Sequence, residues 1–81
     1  MGEQNERKLP FRWSTWTDDR EWVLRRAASN LAFVERKGDG ATWRTILDDY
    51  KNSSGVAAST AAAKLEAENF VRAALGEPLR R

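Results

Sequence analysis

The chain contains neither cysteine nor histidine among its 81 residues. Without cysteine, it can form no disulfide and no thiolate metal site. Without histidine, a zinc finger and a histidine-activated nucleophile are excluded as well. We therefore predict no catalytic residue, no metal and no cofactor, and we expect that the chain is not an enzyme.

Long apolar runs are also missing, and neither sign of charge dominates. The 14 basic and 12 acidic side chains give a net charge of +2, which does not by itself indicate a nucleic-acid partner. No segment is long and apolar enough to span a membrane, and residues 1–8 lack the apolar part of a secretory signal. We expect an intracellular protein, nuclear if its source is eukaryotic, without a membrane partner or a small-molecule substrate.

Aromatic residues are plentiful for so short a chain, with four tryptophans, three phenylalanines and one tyrosine. Large aromatic side chains bury much area per residue, and this suits a small core. Apolar residues recur at helical spacing from Trp22 to Val34, between Thr17 or Asp18 as the N-cap and Gly38 as a helix-ending residue. We predict a flexible polar arm at 1–10, a domain at 11–76 and a basic tail at 77–81. Within the domain, helices are predicted at 18–36, 43–51 and 56–68, with a possible short helix at 70–75.

The end of the third predicted helix has two interpretations. Alanine, the best helix former, fills much of the segment after Val56. One straight helix would continue to Leu75 and be stopped by Gly76, but it would turn Leu65 away from the apolar face. We therefore favour a break near Asn69. No alternating β-branched run is found, so no sheet is predicted.

Three segments resemble the Myb/SANT family, and its telomere-repeat-binding branch in particular. They are 16–19 (WTDD), the loop 38–40 (GDG) and 43–47 (WRTIL), in the order in which that family has them. The resemblance covers about 16–65. It implies an all-α bundle of three helices around a tryptophan core, with helices 2 and 3 forming a helix-turn-helix whose third helix enters the major groove of DNA.

The resemblance implies a DNA-binding module in transcription or in chromatin or telomere regulation, with double-stranded DNA as partner. Its contacts would come from helix 3 and from basic or hydroxyl side chains around it. The candidate residues are Val56, Ser59, Thr60, Ala63 and Lys64 near the bases, Arg44, Lys51, Ser53 and Ser54 at phosphates, and Arg7, Lys8 and Arg12 along the backbone.

An alternative is a SANT-type protein-interaction module without significant DNA binding. Lys64 is the sole cation between residues 52 and 71, where Glu66 and Glu68 leave a net charge of −1. An acidic third helix is compatible with a protein partner that binds helix 3 and the C-terminal segment. With either partner we expect a monomer or a weak homodimer.

Overall fold

The computed structural model describes residues 10–48 and 51–80, which form an antiparallel sheet followed by one helix. The strands lie in the sheet in the order in which they occur in the chain. The elements are β1 (Arg12–Thr17), β2 (Glu21–Arg26), β3 (Ser29–Lys37), β4 (Gly40–Thr45), β5 (Ser54–Ala57) and the helix α1 (Thr60–Ala74). The all-α fold, the resemblance to a Myb/SANT bundle and the helix-turn-helix are therefore wrong.

The predicted first helix, 18–36, is a turn followed by the hairpin of β2 and β3. Asp18, one of the two candidate N-caps, lies in the β1–β2 turn with a φ of 25°. The hairpin itself turns at Ala27 and Ala28, and Ala27 has a φ of 54°. This left-handed conformation is unfavourable for a residue with a Cβ, and alanine otherwise favours helix, so the sequence contains no turn signal here.

The predicted second helix, 43–51, is also wrong, because it begins inside β4 and continues into the loop before β5. Trp43 pairs with Gly55 across the two strands. The loop is held by Asn52, whose side chain bonds both the Thr45 hydroxyl, at 2.9 Å, and the Leu47 backbone. These bonds satisfy backbone groups that a helix would otherwise have used.

The third predicted helix, 56–68, begins and ends too early. Val56 belongs to β5, and α1 starts after Ser59, whose hydroxyl accepts the backbone N–H of Ala62 at 3.1 Å. The helix continues without a break through Asn69, so the separate helix at 70–75 is wrong. A straight helix does turn Leu65 away from the apolar face, but Leu65 lies on the solvent side, 38% exposed, so no break is needed to bury it.

One face of the sheet is covered by α1. Ala63, Ala67 and Val71 repeat every four residues along the helix and are fully buried against the sheet. Alanine on both surfaces lets the helix lie close to the strands. No helix in the described part of the chain is long and apolar enough to cross a membrane. The buried helix-side core consists of Leu24, Ala32, Val34, Ala41, Leu47, Ala57, Ala63, Ala67 and Val71.

Glu68, only 2% exposed, joins three parts of the molecule. Its carboxylate accepts the indole N–H of Trp13 in β1 at 3.1 Å and is paired with Arg72 at 2.8 Å. Arg80, from the segment after the helix, approaches the same carboxylate at 3.4 Å, and its backbone N–H bonds Asn69 at 2.7 Å. The predicted basic tail is thus attached to α1 as far as the structure describes it.

Gly40→Ala is expected to lower the free energy of unfolding by about 2 kcal/mol, because a Cβ at this position would overpack the β4–β5 pair. The added atom would lie 2.6 Å from the carbonyl oxygen of Ala57, which belongs to the backbone of β5. Urea denaturation followed by tryptophan fluorescence measures the change. Gly38→Ala is the control, since no atom lies within 4 Å of its Cβ and only its φ of 58° opposes the substitution. Equal losses in both variants would contradict the packing argument.

Candidate binding face of the sheet

The side chains of the sheet that point away from α1 form the surface that we name the outer face. Successive side chains of a strand alternate between faces, and the strand register aligns the outer ones in three rows across the sheet. The rows are Arg12 and Arg25; Ser14, Val23, Phe33, Arg44 and Ser54; and Thr17, Glu21, Glu35, Thr42 and Val56. Lys37 follows Glu35 on the same face of β3, beyond the third row.

The centre of the outer face is aromatic and apolar. Trp16 lies at the irregularity in β1 between Thr15 and Thr17, is 56% exposed and meets Phe33 edge-on at 5.2 Å between ring centroids. The guanidinium of Arg44 lies 4.7 Å from the centroid of Phe33. Val23, the register partner of Phe33, is buried although it does not belong to the helix-side core. Trp16 is therefore the aromatic side chain of this centre that is most available to a ligand.

One end of the outer face, formed by the first row, is positively charged. Arg12 and Arg25 are direct register partners, and both are exposed. Like charges opposite each other on neighbouring strands are unfavourable. Within residues 10–48 and 51–80, neither of them nor Arg44 forms an ion pair with a carboxylate. Their charge is thus available to an anionic ligand.

The third row gives the opposite end negative charge. Glu21 and Glu35 are register partners, and they form a second like-charged pair. Thr17 donates its hydroxyl to Glu21 at 2.8 Å, and Lys37 lies 3.5 Å from the Glu35 carboxylate. Those contacts only partly compensate the two carboxylates. The outer face therefore has an electric polarity along the strands, from an arginine end to a glutamate end.

A shallow, open depression of about 330 Å³ lies on the glutamate side of this face. Its walls combine charged and hydroxyl groups with the side of an aromatic ring, as expected for a surface that binds a large ligand rather than enclosing a small one. The lining residues are Glu21, Phe33, Glu35, Thr42, Trp43, Arg44, Ser54, Gly55 and Val56.

The structure brings four of the sequence-predicted DNA-binding residues together on the outer face. Arg12 lies in β1, Arg44 in β4, and Ser54 and Val56 in β5, and all four are exposed. The sequence analysis selected them for positions around a recognition helix. In the structure, the pairing of the strands brings them to one surface.

The other candidates lie elsewhere. None of those that the structure describes shares the outer face with Arg44. Lys51 and Ser53 precede β5, while Ser59 caps α1 and Thr60 is its first residue. Ala63 is in the helix-side core, and Lys64 lies over Trp22. Arg7 and Lys8 lie outside the described residues.

Lys64 occupies the helix side of the sheet. Its ammonium lies 4.7 Å from the ring centroid of Trp22 and 6.0 Å from that of Trp13. Partial burial there lowers the pKa of Lys64. Since both tryptophans face α1, a ligand on the outer face is separated from this cation by the sheet.

Sequence reasoning missed five residues of the outer face: Trp16, Glu21, Arg25, Phe33 and Glu35. Trp16 was assigned to the tryptophan core, and the other four fell within the predicted first helix, 18–36, with no binding role assigned to them. Alternation of Glu21, Val23 and Arg25 along β2 is the signal that could have placed them on one face. It was obscured because the intervening residues of β2 are apolar as well.

Comparison of the chain with protein-family models, with curated proteins and with solved structures finds no match. The outer face has hydrogen-bond donors, three accessible guanidinium groups and one exposed indole, and these groups suit non-covalent binding.

Proposed function

We propose that the chain is a DNA-binding module that contacts the duplex with the outer face of its sheet. One observation supports this most directly. Arg12, Arg25 and Arg44 lie on a sheet face that α1 leaves uncovered, and none has a carboxylate partner in the described part of the chain. Affinity for DNA depends on neutralising phosphates, and such guanidinium groups can do so without first breaking an ion pair.

The dimensions and chemistry of the strands suit the major groove. Neighbouring strands are about 5 Å apart, so β1 and β4 are about 15 Å apart, and the sheet would lie across the groove, which is about 12 Å wide, with its arginines reaching in from both sides. Arginine is the commonest side chain to bind a guanine edge, so we assign Arg44 to a base and Arg12 and Arg25 to phosphates. Ser54, the register partner of Arg44, is a further donor beside it.

The glutamate end determines which part of the outer face the DNA covers, because carboxylates repel phosphates. Glu21→Gln with Glu35→Gln is expected to tighten duplex binding about tenfold at low salt. Fluorescence anisotropy with a labelled duplex measures the change. Asp39→Asn with Asp48→Asn is the matched control: it removes the same charge from exposed positions in a turn and a loop and is expected to change affinity less. Equal gains would mean that only net charge matters.

The proposed function is tested by titrating a labelled mixed-sequence duplex with the chain between 50 and 200 mM salt. Three phosphate or base contacts predict micromolar binding and a slope near −3 in a plot of log affinity against log salt. Amide shifts should follow β1, β2 and β4. No binding at 50 mM salt, or shifts confined to α1, would refute the proposal. Tighter binding of the single strand would exclude the duplex assignment and indicate base stacking on Trp16.

A protein partner bound through helix 3 and the C-terminal segment has less support. Helix 3 was expected to form this surface, but Ala63 and Ala67 within it are fully buried against the sheet. Arg80 is held by Glu68 and Asn69. The part of α1 that the sequence indicated as a docking surface is therefore already occupied within the domain.

A further inference from the structure

We propose that the outer face also binds a second copy of this chain, face to face, in a symmetric dimer. The inference rests on the two like-charged pairs, Arg12 with Arg25 and Glu21 with Glu35, at opposite ends of one surface. It does not depend on the proposed DNA binding. It predicts, however, that the dimer and DNA compete, because both would cover the same arginines.

Each like-charged pair is unfavourable in the isolated chain and would be relieved by a partner of opposite sign. Glu21 and Arg25 both belong to β2, where four residues correspond to about 13 Å. Val23 lies midway between them. The face therefore has a positive site and a negative site at a fixed separation, on either side of a buried apolar residue.

A two-fold axis makes such a surface complementary to itself. If the axis lies between the two faces and runs perpendicular to the strands near Val23, it reverses the direction of β2 in the second copy. The arginine end of each copy then lies over the glutamate end of the other, so every favourable contact occurs twice. A copy placed in the same strand direction would instead put like charges together. Charge complementarity thus selects one arrangement of the two sheets.

The apolar centre supports the same occupant. Trp16 and Val56 are 56% and 79% exposed, large fractions for apolar side chains in a folded domain. Two sheets that pack face to face lie about 10 Å apart with their strands about 30° from parallel, so side chains from both fill the space between them. A second copy would remove these side chains, together with Phe33, from water.

Charge reversal with complementation tests the dimer. Arg12→Glu with Arg25→Glu puts a carboxylate pair at each end of the face, with Lys37 still beside Glu35, and Glu21→Arg with Glu35→Arg puts an arginine pair at each end. Sedimentation equilibrium of the wild-type chain should show a mass that rises from one chain to two with concentration. Each variant alone is expected to dimerise at least about tenfold more weakly, because like charges then face each other. An equimolar mixture of the two variants should restore a dimer that contains one copy of each.

Three results would overturn the dimer. They are a wild-type mass of one chain up to millimolar concentration, dimers that persist unchanged in both variants, or a mixture that stays monomeric although circular dichroism shows both variants folded. If either variant fails to fold, amide shifts of the wild-type chain on dilution decide instead. Shifts on Val23, Phe33 and Arg44 support the dimer, and shifts elsewhere, or none, overturn it.

The glutamate variant separates this inference from the proposed function. Glu21→Arg with Glu35→Arg is expected to weaken the dimer but to strengthen DNA binding, whereas Arg12→Glu with Arg25→Glu should weaken both. A wild-type chain that is monomeric and binds duplex DNA overturns the dimer alone. A wild-type dimer that binds no DNA at any concentration overturns the proposed function alone.

Discussion

Replacement of Arg12, Arg25 and Arg44 together by alanine is expected to weaken duplex binding about 100-fold at 0.1 M salt. Each guanidinium would lose a phosphate or base contact, and one good contact of this kind contributes about 1 kcal/mol or more. The slope of log affinity against log salt should also fall toward zero. Fluorescence anisotropy at three or more salt concentrations measures both quantities.

The control for this variant removes the same charge from the rest of the molecule. Arg20, Arg36 and Lys51 lie outside the three rows of the outer face, and Arg36 is on the helix side, 5.8 Å from the ring centroid of Trp22. Their combined replacement by alanine should cost less than about tenfold, because distant charges are screened within about 10 Å at this salt. Equal losses in the two triple variants would show that net charge, and not the outer face, governs binding.

Glu68→Gln is expected to reduce the free energy of unfolding by about 3 kcal/mol, since it leaves a partly buried arginine without its counter-charge. Glu68 is 2% exposed, and its partner Arg72 bonds it twice at 2.8 Å. Glutamine keeps the shape and one carbonyl acceptor, but not the charge that also attracts Arg80 at 3.4 Å. Urea denaturation followed by tryptophan fluorescence measures the loss.

Glu66→Gln provides the comparison for Glu68. Glu66 is exposed and accepts the indole N–H of Trp43 at 3.0 Å, an interaction that a glutamine carbonyl can replace. Its substitution should cost less than about 1 kcal/mol. Losses of similar size at the two positions would contradict the view that the buried carboxylate joins helix, strand and C-terminal segment.

The sequence indicated the hairpin turn that contains glycine and missed the two that do not, at 18–20 and at 27–28. The turn at Gly38 and Asp39 was predicted where the structure has it, because Gly38 adopts a φ of 58° that glycine tolerates. The turn at Ala27 and Ala28 uses two strong helix formers. Without a break there, the apolar residues of β2 and β3 fitted a helical period, and the two strands were interpreted as one helix.

The helix at the end of the chain was the most predictable element. Its alanine content indicated it, and the interpretation as one uninterrupted helix fits the structure, in which α1 ends at Ala74 before Gly76 with a φ of 75°. The preferred break near Asn69 was wrong because Leu65 was assumed to be buried. An exposed leucine is common on protein surfaces, so its position does not constrain a helix.

The outer face was beyond sequence reasoning because it depends on pairing between strands. Arg12 and Arg44 were selected individually for their charge. Arg25 can be placed beside Arg12 only when the pairing of β1 with β2 is known. The same holds for Glu21 and Glu35, which are 14 positions apart in the chain and adjacent in the sheet. Local propensity cannot supply this information, because a shift of one residue in register would move each side chain to the opposite face.

The strand order has a consequence for synthesis on the ribosome. Each strand pairs with the one made just before it, so the hairpins can form in succession as the chain emerges. The helix α1, Thr60–Ala74, which covers the helix side of the sheet, leaves the exit tunnel after all five strands. Until then the nascent sheet presents apolar side chains on both surfaces, and this is the interval in which chaperone binding or aggregation would act on the protein.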